Sequence, residues 1–94
     1  MKKPRTPFPT MPGEMLEEEF LKPLNMSQSD LARKLKVQPR AINEICRGKR
    51  SISPRMAFLL AEAFDTTPEI WMNLQTSWDL WKEWEKLSKK NKAS

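Results

Sequence analysis

The residues best suited to chemistry in this sequence are the basic side chains between Ser27 and Arg55. That stretch holds eight lysines and arginines, which only Asp30 and Glu44 oppose. They are Arg33, Lys34, Lys36, Arg40, Arg47, Lys49, Arg50 and Arg55. Ammonium and guanidinium groups at this density attract phosphates, so the stretch predicts a surface for a polyanion such as nucleic acid. The alternative, a solvated charged surface without a ligand, is not excluded by charge alone.

Catalysis has little support in the composition. The 94 residues carry a formal net charge of +5 and include no histidine and a single cysteine, Cys46. Because there is no glycine-rich phosphate loop and no spaced set of ligands, we expect neither an enzyme nor a metal or other cofactor. The single cysteine excludes an internal disulfide and fits a reducing, cytoplasmic location, and we interpret it as a packing residue. The basic N-terminus lacks the apolar run of a signal peptide, and we expect no membrane span.

Apolar residues among these bases predict two short helices that position the basic side chains. Leu31 and Leu35 fall on one face of the first helix, and Ile42 and Ile45 on one face of the second. Only about three residues remain between the two helices, which requires the sharp crossing of a helix-turn-helix.

Residues at the ends of both helices support this prediction. Ser27 can cap the first helix, with Asp30 favouring its positive end. Gln38 is a weaker cap for the second helix, and Pro39 suits its first position. Gly48 fits the left-handed residue that ends it.

The second helix is predicted to lie in the major groove of DNA, where its side chains meet base edges. Six of its side chains are expected off the isoleucine face, namely Gln38, Arg40, Ala41, Asn43, Glu44 and Arg47. Gln38 is expected to pair with adenine, Arg40 with guanine or phosphate, and Ala41 with a thymine methyl group. Asn43 lies nearer the middle, and Glu44 is expected to orient a neighbouring arginine or to accept from cytosine.

Four further residues are predicted to bind the DNA backbone. Gln28, at the start of the first helix of the motif, should contact it and brace Gln38. Arg33, Lys49 and Arg50 are the candidates for phosphate contacts.

The rest of the chain predicts supporting helices, giving an all-α fold of five helices. The first is expected over residues 13–22, the fourth from Ser53 and Pro54, and the fifth from Thr67. Residues 1–12 are expected to form a flexible arm, 13–87 the helix-turn-helix domain and 88–94 a flexible tail. The arm is either a frayed end or a segment that lies on a partner protein.

The fifth helix is long and rich in aromatic residues. Trp71 and Leu74 are expected in the core. Trp78, Trp81 and Trp84 lie further along, and we predict that they form a subunit or partner interface, because large aromatic side chains anchor interfaces. Packing of all of them in the core is the alternative.

The sequence from Pro12 to Trp81 resembles the HigA antitoxin family, also described as VapI-like, of the lambda-repressor-like helix-turn-helix class. The resemblance rests on the PGE opening, on INEI and RGKR around Cys46, and on the late segment PEIWMNLQTSWDLW. Two positions depart from it, Lys36 where many members have a turn glycine and Gln38 where a serine commonly caps. Lys36 is therefore expected to accept a positive φ at some cost.

This resemblance implies a homodimeric repressor that binds a palindromic operator in its own promoter. It also implies that the protein binds and neutralises a HigB-like toxin, a RelE-like mRNA endonuclease. A two-fold dimer would place its half-sites about one helical turn, roughly 34 Å, apart. Two alternatives stay open: a related regulator without a toxin, and a protein-interaction module whose helix-turn-helix no longer binds DNA.

Overall fold

The computed structural model of this chain describes residues 2–5 and 9–93, with side chains up to residue 89. The secondary structure in this part of the chain is helical, which confirms the all-α prediction. The helices are α1 (Pro12–Met15), α2 (Gln28–Leu35), α3 (Pro39–Cys46), α4 (Pro54–Phe64) and α5 (Pro68–Ala93). Helix α1 passes without a break into a π-helical segment, Leu16–Leu21.

Helix α2 begins at the predicted cap. The Ser27 hydroxyl accepts a hydrogen bond from the Asp30 amide at 2.9 Å, and the Asp30 carboxylate accepts one from the Ser27 amide at 3.0 Å. This reciprocal pair satisfies two amides that the first turn leaves without helical partners. Helix α3 begins after Gln38, whose side chain makes no capping hydrogen bond, and Pro39 occupies its first turn.

The turn between α2 and α3 contains the backbone strain expected of it. Lys36 has a φ of 58°, in the left-handed region, where a side chain costs energy that glycine would not. Val37 is half-buried against the core, so it fills the corner between the helices. Gly48 has a φ of 74° just beyond α3, as predicted for the residue that ends this helix.

Buried side chains from α2, α3, α4 and α5 meet beneath α3. Leu31, Ile42, Ile45 and Leu60 are all within 2% of complete burial, and Trp71 of α5 is fully buried beside them. Burying each large apolar side chain contributes roughly 1.5–3 kcal/mol, so this core fixes the orientation of α3.

The approach of α1 to α3 requires glycine at position 13. A Cβ added to Gly13 would overlap the carbonyl oxygen of Ile45 and lie 2.6 Å from the Cα of Cys46. Gly13 in the PGE segment therefore lets the two backbones touch, which places the N-terminal helix directly behind the last turn of α3.

Helix α5 is also tied to the loop that follows α3. The Gln75 side chain is buried, accepts a hydrogen bond from the Ile52 amide at 2.8 Å and donates one to Asp79 at 2.9 Å. Since Ile52 itself is buried, this contact holds the segment that carries Lys49 and Arg50 against the domain.

The aromatic residues of α5 differ from the sequence prediction in one respect. Trp81, expected at an interface, is only 8% exposed within the single chain. Its ring lies 5.5 Å from that of Trp84, and the Lys3 ammonium lies 5.0 Å from the Trp81 ring centre. Lys3, which belongs to the predicted arm, therefore contacts α5 of this chain.

The C-terminal end of α5 extends beyond the expected domain boundary. The helix continues through Ala93, and the flexibility expected of residues 88–94 stays a prediction. No helix within residues 2–5 and 9–93 is long and apolar enough to cross a membrane.

Candidate nucleic-acid interface

The outer face of α3 presents a row of polar side chains to solvent. Arg40, Asn43 and Arg47 are exposed, whereas Ile42 and Ile45 on the opposite face are buried. Gln38 is exposed at the N-terminal end of the helix. This is the placement that major-groove contact requires, because a single α-helix fits the groove and its outward side chains meet the bases.

Ala41 is the exception, and its expected position was wrong. The residue is only 8% exposed, and it lines the depression beside α3 together with Val37 and Met56. Two residues after Pro39, it lies between the isoleucine face and the outer face, where little of its methyl group is accessible to a base. We therefore leave Ala41 out of the candidate interface.

Gln28 has a different partner from the one expected. Its Oε1 atom accepts a hydrogen bond from Asn43 Nδ2 at 3.1 Å, and its Nε2 atom donates one to Glu17 Oε2 at 3.2 Å. Gln28 was expected to brace Gln38, which lies before the first turn of α3, whereas Asn43 lies more than one turn inside. The contact joins the start of α2 to the exposed face of α3.

Glu44 contacts two arginines, which matches one of its two expected roles. Its Oε1 atom accepts hydrogen bonds from Arg50 Nη2 at 2.7 Å and from Arg50 Nε at 3.0 Å. Arg40 Nε lies 3.6 Å from Glu44 Oε2. The Arg50 guanidinium holds the pKa of Glu44 below its usual value, with partial burial opposing and Arg40 assisting.

The three residues predicted to contact phosphates are exposed on the segments before and after α3. Arg33 on α2 is exposed and lies 3.5 Å from Asp30, while Lys49 and Arg50 follow directly after α3. Exposed cations on the segments that flank a groove-binding helix are suited to phosphate contacts.

Two residues of this region were not among the sequence predictions for the site. Arg55 lines a shallow depression of about 390 Å³ beside α3, together with Arg40 and Arg50. Its position in the run of eight bases is a signal that could have found it. Glu17 belongs to an acidic run expected to be a solvated helix face, and no sequence spacing connects it with Gln28.

Cys46 fits its interpretation as a packing residue. Burial raises the pKa of its thiol to about 12, and a hydrogen bond to Glu17 adds to the increase. A thiol with this pKa holds its proton at neutral pH and is a poor nucleophile. Among the described residues no cluster of histidine, cysteine, aspartate or glutamate is suited to a metal ion.

Two crossed helices with a tight turn, a buried underside and an exposed basic face define a helix-turn-helix protein. The sequence matches the helix-turn-helix family HTH_3 over residues 18–71. The chain therefore belongs to this family, and its homologues include HigA and GraA antitoxins. This is a family of DNA-binding regulators, which confirms the expectation of a non-enzymatic protein.

Individual relatives agree with this placement. An uncharacterised HTH-type transcriptional regulator of Haemophilus influenzae is 51% identical over 73 residues, which cover 78% of this chain and 68% of that protein. Among solved structures, Pseudomonas aeruginosa antitoxin HigA with the higBA promoter has 40% identity and a TM-score of 0.83, covering 92% of this chain and 94% of its own. Antitoxin GraA in complex with its operator has 38% identity and a TM-score of 0.82, covering 100% and 92%.

Proposed function

We propose that this chain is a sequence-specific DNA-binding repressor of its own promoter and the antitoxin of a type II toxin–antitoxin pair. The observation that carries the proposal is the exposed row of Arg40, Asn43 and Arg47 above the buried Ile42 and Ile45. Relatives of similar length and fold were solved on promoter or operator DNA, which supports the same class of ligand here.

In this proposal the side chains divide into base contacts and backbone contacts. Gln38, Arg40, Asn43 and Arg47 project from α3 toward base edges, where arginine suits guanine and an amide suits adenine. Glu44 acts indirectly, by holding Arg40 and Arg50 in place. The residues assigned to the DNA backbone are Gln28, Arg33, Lys49, Arg50 and Arg55.

A binding titration tests the DNA part of the proposal. The probe is a labelled duplex from the region upstream of the coding sequence, and the control is a shuffled duplex of equal composition. We expect the upstream duplex to bind at least about a thousandfold more tightly, with affinity falling steeply as salt rises. Weak binding without salt dependence would instead indicate the protein-interaction module.

We propose a homodimer formed through α5, with contacts revised from the sequence prediction. Trp78 and Trp84 remain candidates because both are partly exposed, whereas Trp81 is buried within the chain. Leu80 is 55% exposed and Leu87 is 38% exposed, and both lie on the same helix face as Trp84. An apolar stripe of this kind on an otherwise polar helix is typical of a helix-to-helix contact.

The toxin partner is proposed as a HigB-like mRNA endonuclease. This proposal is supported by the sequence and structural similarity to HigA and GraA antitoxins. Co-expression with the product of an adjacent small open reading frame tests it, and we expect a stable complex in which mRNA cleavage is lost. No complex and continued cleavage would favour a regulator without a toxin.

A further inference from the structure

We propose that Glu17 helps to select the base that Asn43 contacts, favouring a base with an amino group in the major groove. The inference rests on the proposed DNA binding and deepens it by naming a class of base. It is carried by a chain of hydrogen bonds from Glu17 on the π-helical segment, through Gln28 on α2, to Asn43 on α3.

The first step is the orientation of the Gln28 amide. A carboxylate has no proton to donate, so Glu17 can only accept from Gln28. The two ends of an amide have nearly the same shape, and their partners decide which end points where. Turning the amide around would bring Gln28 Oε1 against a carboxylate oxygen, which is repulsive. The Gln28 amide is therefore held with Nε2 toward Glu17 and Oε1 toward α3.

The second step is the orientation of the Asn43 amide. Because Gln28 Oε1 accepts, Asn43 must use one proton of Nδ2 for this bond, at 3.1 Å. Its Oδ1 atom and its second N–H then remain for a ligand, and the residue is exposed. The Glu17 carboxylate also interacts with the Cys46 thiol of α3 and helps to raise the pKa of that thiol.

The free Oδ1 and N–H of Asn43 match the four bases to different degrees. In the major groove adenine offers an amino donor and the N7 acceptor, which together match Oδ1 and the remaining N–H of Asn43. Cytosine offers the amino donor alone. Guanine and thymine present carbonyl oxygens where Oδ1 requires a donor. Asn43 should therefore prefer adenine, then cytosine, and then guanine or thymine.

Selection from a random-sequence DNA duplex library tests this order with the full chain. Asn43→Ala identifies the base position that Asn43 contacts, because the base preference should disappear at that position alone. Wild-type protein should enrich adenine at that position. In Glu17→Gln the new amide can donate as well as accept, so both polarities become possible. The preference for adenine over guanine there should fall about tenfold, with other positions and the salt dependence unchanged.

Glu14→Gln is the matched control, because Glu14 is exposed on the preceding helical turn and should keep the wild-type profile. Should Glu17→Gln unfold, Gln28→Ala removes the same constraint and is expected to give the same local loss, in addition to the uniform weakening that follows from its lost contact with the DNA backbone. An unchanged preference at the Asn43 position, or equal weakening at every position, overturns the role of Glu17. If wild-type protein enriches no sequence, the proposed function itself fails.

Discussion

Arg50 donates two hydrogen bonds to a single oxygen of Glu44, from Nη2 at 2.7 Å and from Nε at 3.0 Å. Glu44 thus places a negative charge on the otherwise basic surface around α3. It restrains Arg50 and offsets part of the attraction for phosphate. Because the pair is partly exposed, it contributes little to folding stability, and its larger effect should be on DNA binding.

The first prediction is that Glu44→Gln strengthens binding to DNA of unrelated sequence. Removing the carboxylate frees Arg50 for a phosphate and removes a repulsive charge. The slope of log affinity against log salt should steepen by roughly one unit, measured by fluorescence anisotropy on a shuffled duplex. Glu69→Gln changes the charge equally on the first turn of α5 and serves as the control. Equal steepening in both variants would mean that only net charge matters.

The second prediction concerns Arg40, whose side chain is 84% exposed. Arg40→Ala should weaken binding to the upstream duplex by about 1–3 kcal/mol, the cost of losing one bidentate base contact. The helical circular dichroism signal should stay at the wild-type level, since the side chain has no role in the core. Lys86→Ala on α5 provides an exposed control. Melting of the helices in Arg40→Ala would show that Arg40 is structural and that the assignment of faces on α3 is wrong.

Much of the fold followed from local signals in the sequence. Ser27, Pro39, Gly48 and Ser53 mark helix ends through capping and backbone preferences that act within a few residues. The spacing of Ile42 and Ile45 identified the buried side of α3, and therefore its exposed side. Such features are predictable because their causes lie within one or two helical turns.

The remaining features depend on contacts between distant segments. Gln28 binds Asn43 and Glu17, which lie 15 and 11 residues away, and periodicity gives no information about such pairs. Ala41 is almost wholly buried and lines the same depression as Met56 of α4, and Trp81 has the Lys3 ammonium over its ring. Helical spacing identifies a face, but it does not show which neighbouring segment will cover that face.

The third prediction separates the two halves of the α2 cap. Ser27→Ala should cost about 1 kcal/mol at neutral pH, and the part that comes from losing the acceptor of the Asp30 amide should persist in acid. Asp30→Asn should destabilise the fold at neutral pH but not in acid. The hydrogen bond from the Ser27 amide lowers the pKa of Asp30 below 3.8 in the folded protein, assisted by the Ser27 hydroxyl and Arg33.

The direction of the pH dependence is set by which state, unfolded or folded, first binds a proton at Asp30. Below pH 3.8 the unfolded chain takes up a proton at Asp30 while the folded protein still resists it. The stabilisation is therefore complete above this pH and is lost as pH falls through the folded pKa. Thermal unfolding of wild type and Asp30→Asn should differ at neutral pH and converge in acid. If the difference stays constant with pH, the charge of Asp30 does not account for the stabilisation.

The fourth prediction tests the α5 interface with Leu80→Glu. Leu80 is 55% exposed, so a charge there should be tolerated by the single chain but not by a second copy packed against it. Sedimentation velocity should show a dimer dissociation constant raised at least about tenfold, since a buried unpaired carboxylate costs more than 1.4 kcal/mol. Lys86→Glu, an exposed site away from the stripe, should leave the dimer intact. Equal dimerisation in all three proteins would place the interface on another surface, and operator affinity measured on the same samples would show whether two copies are needed to bind.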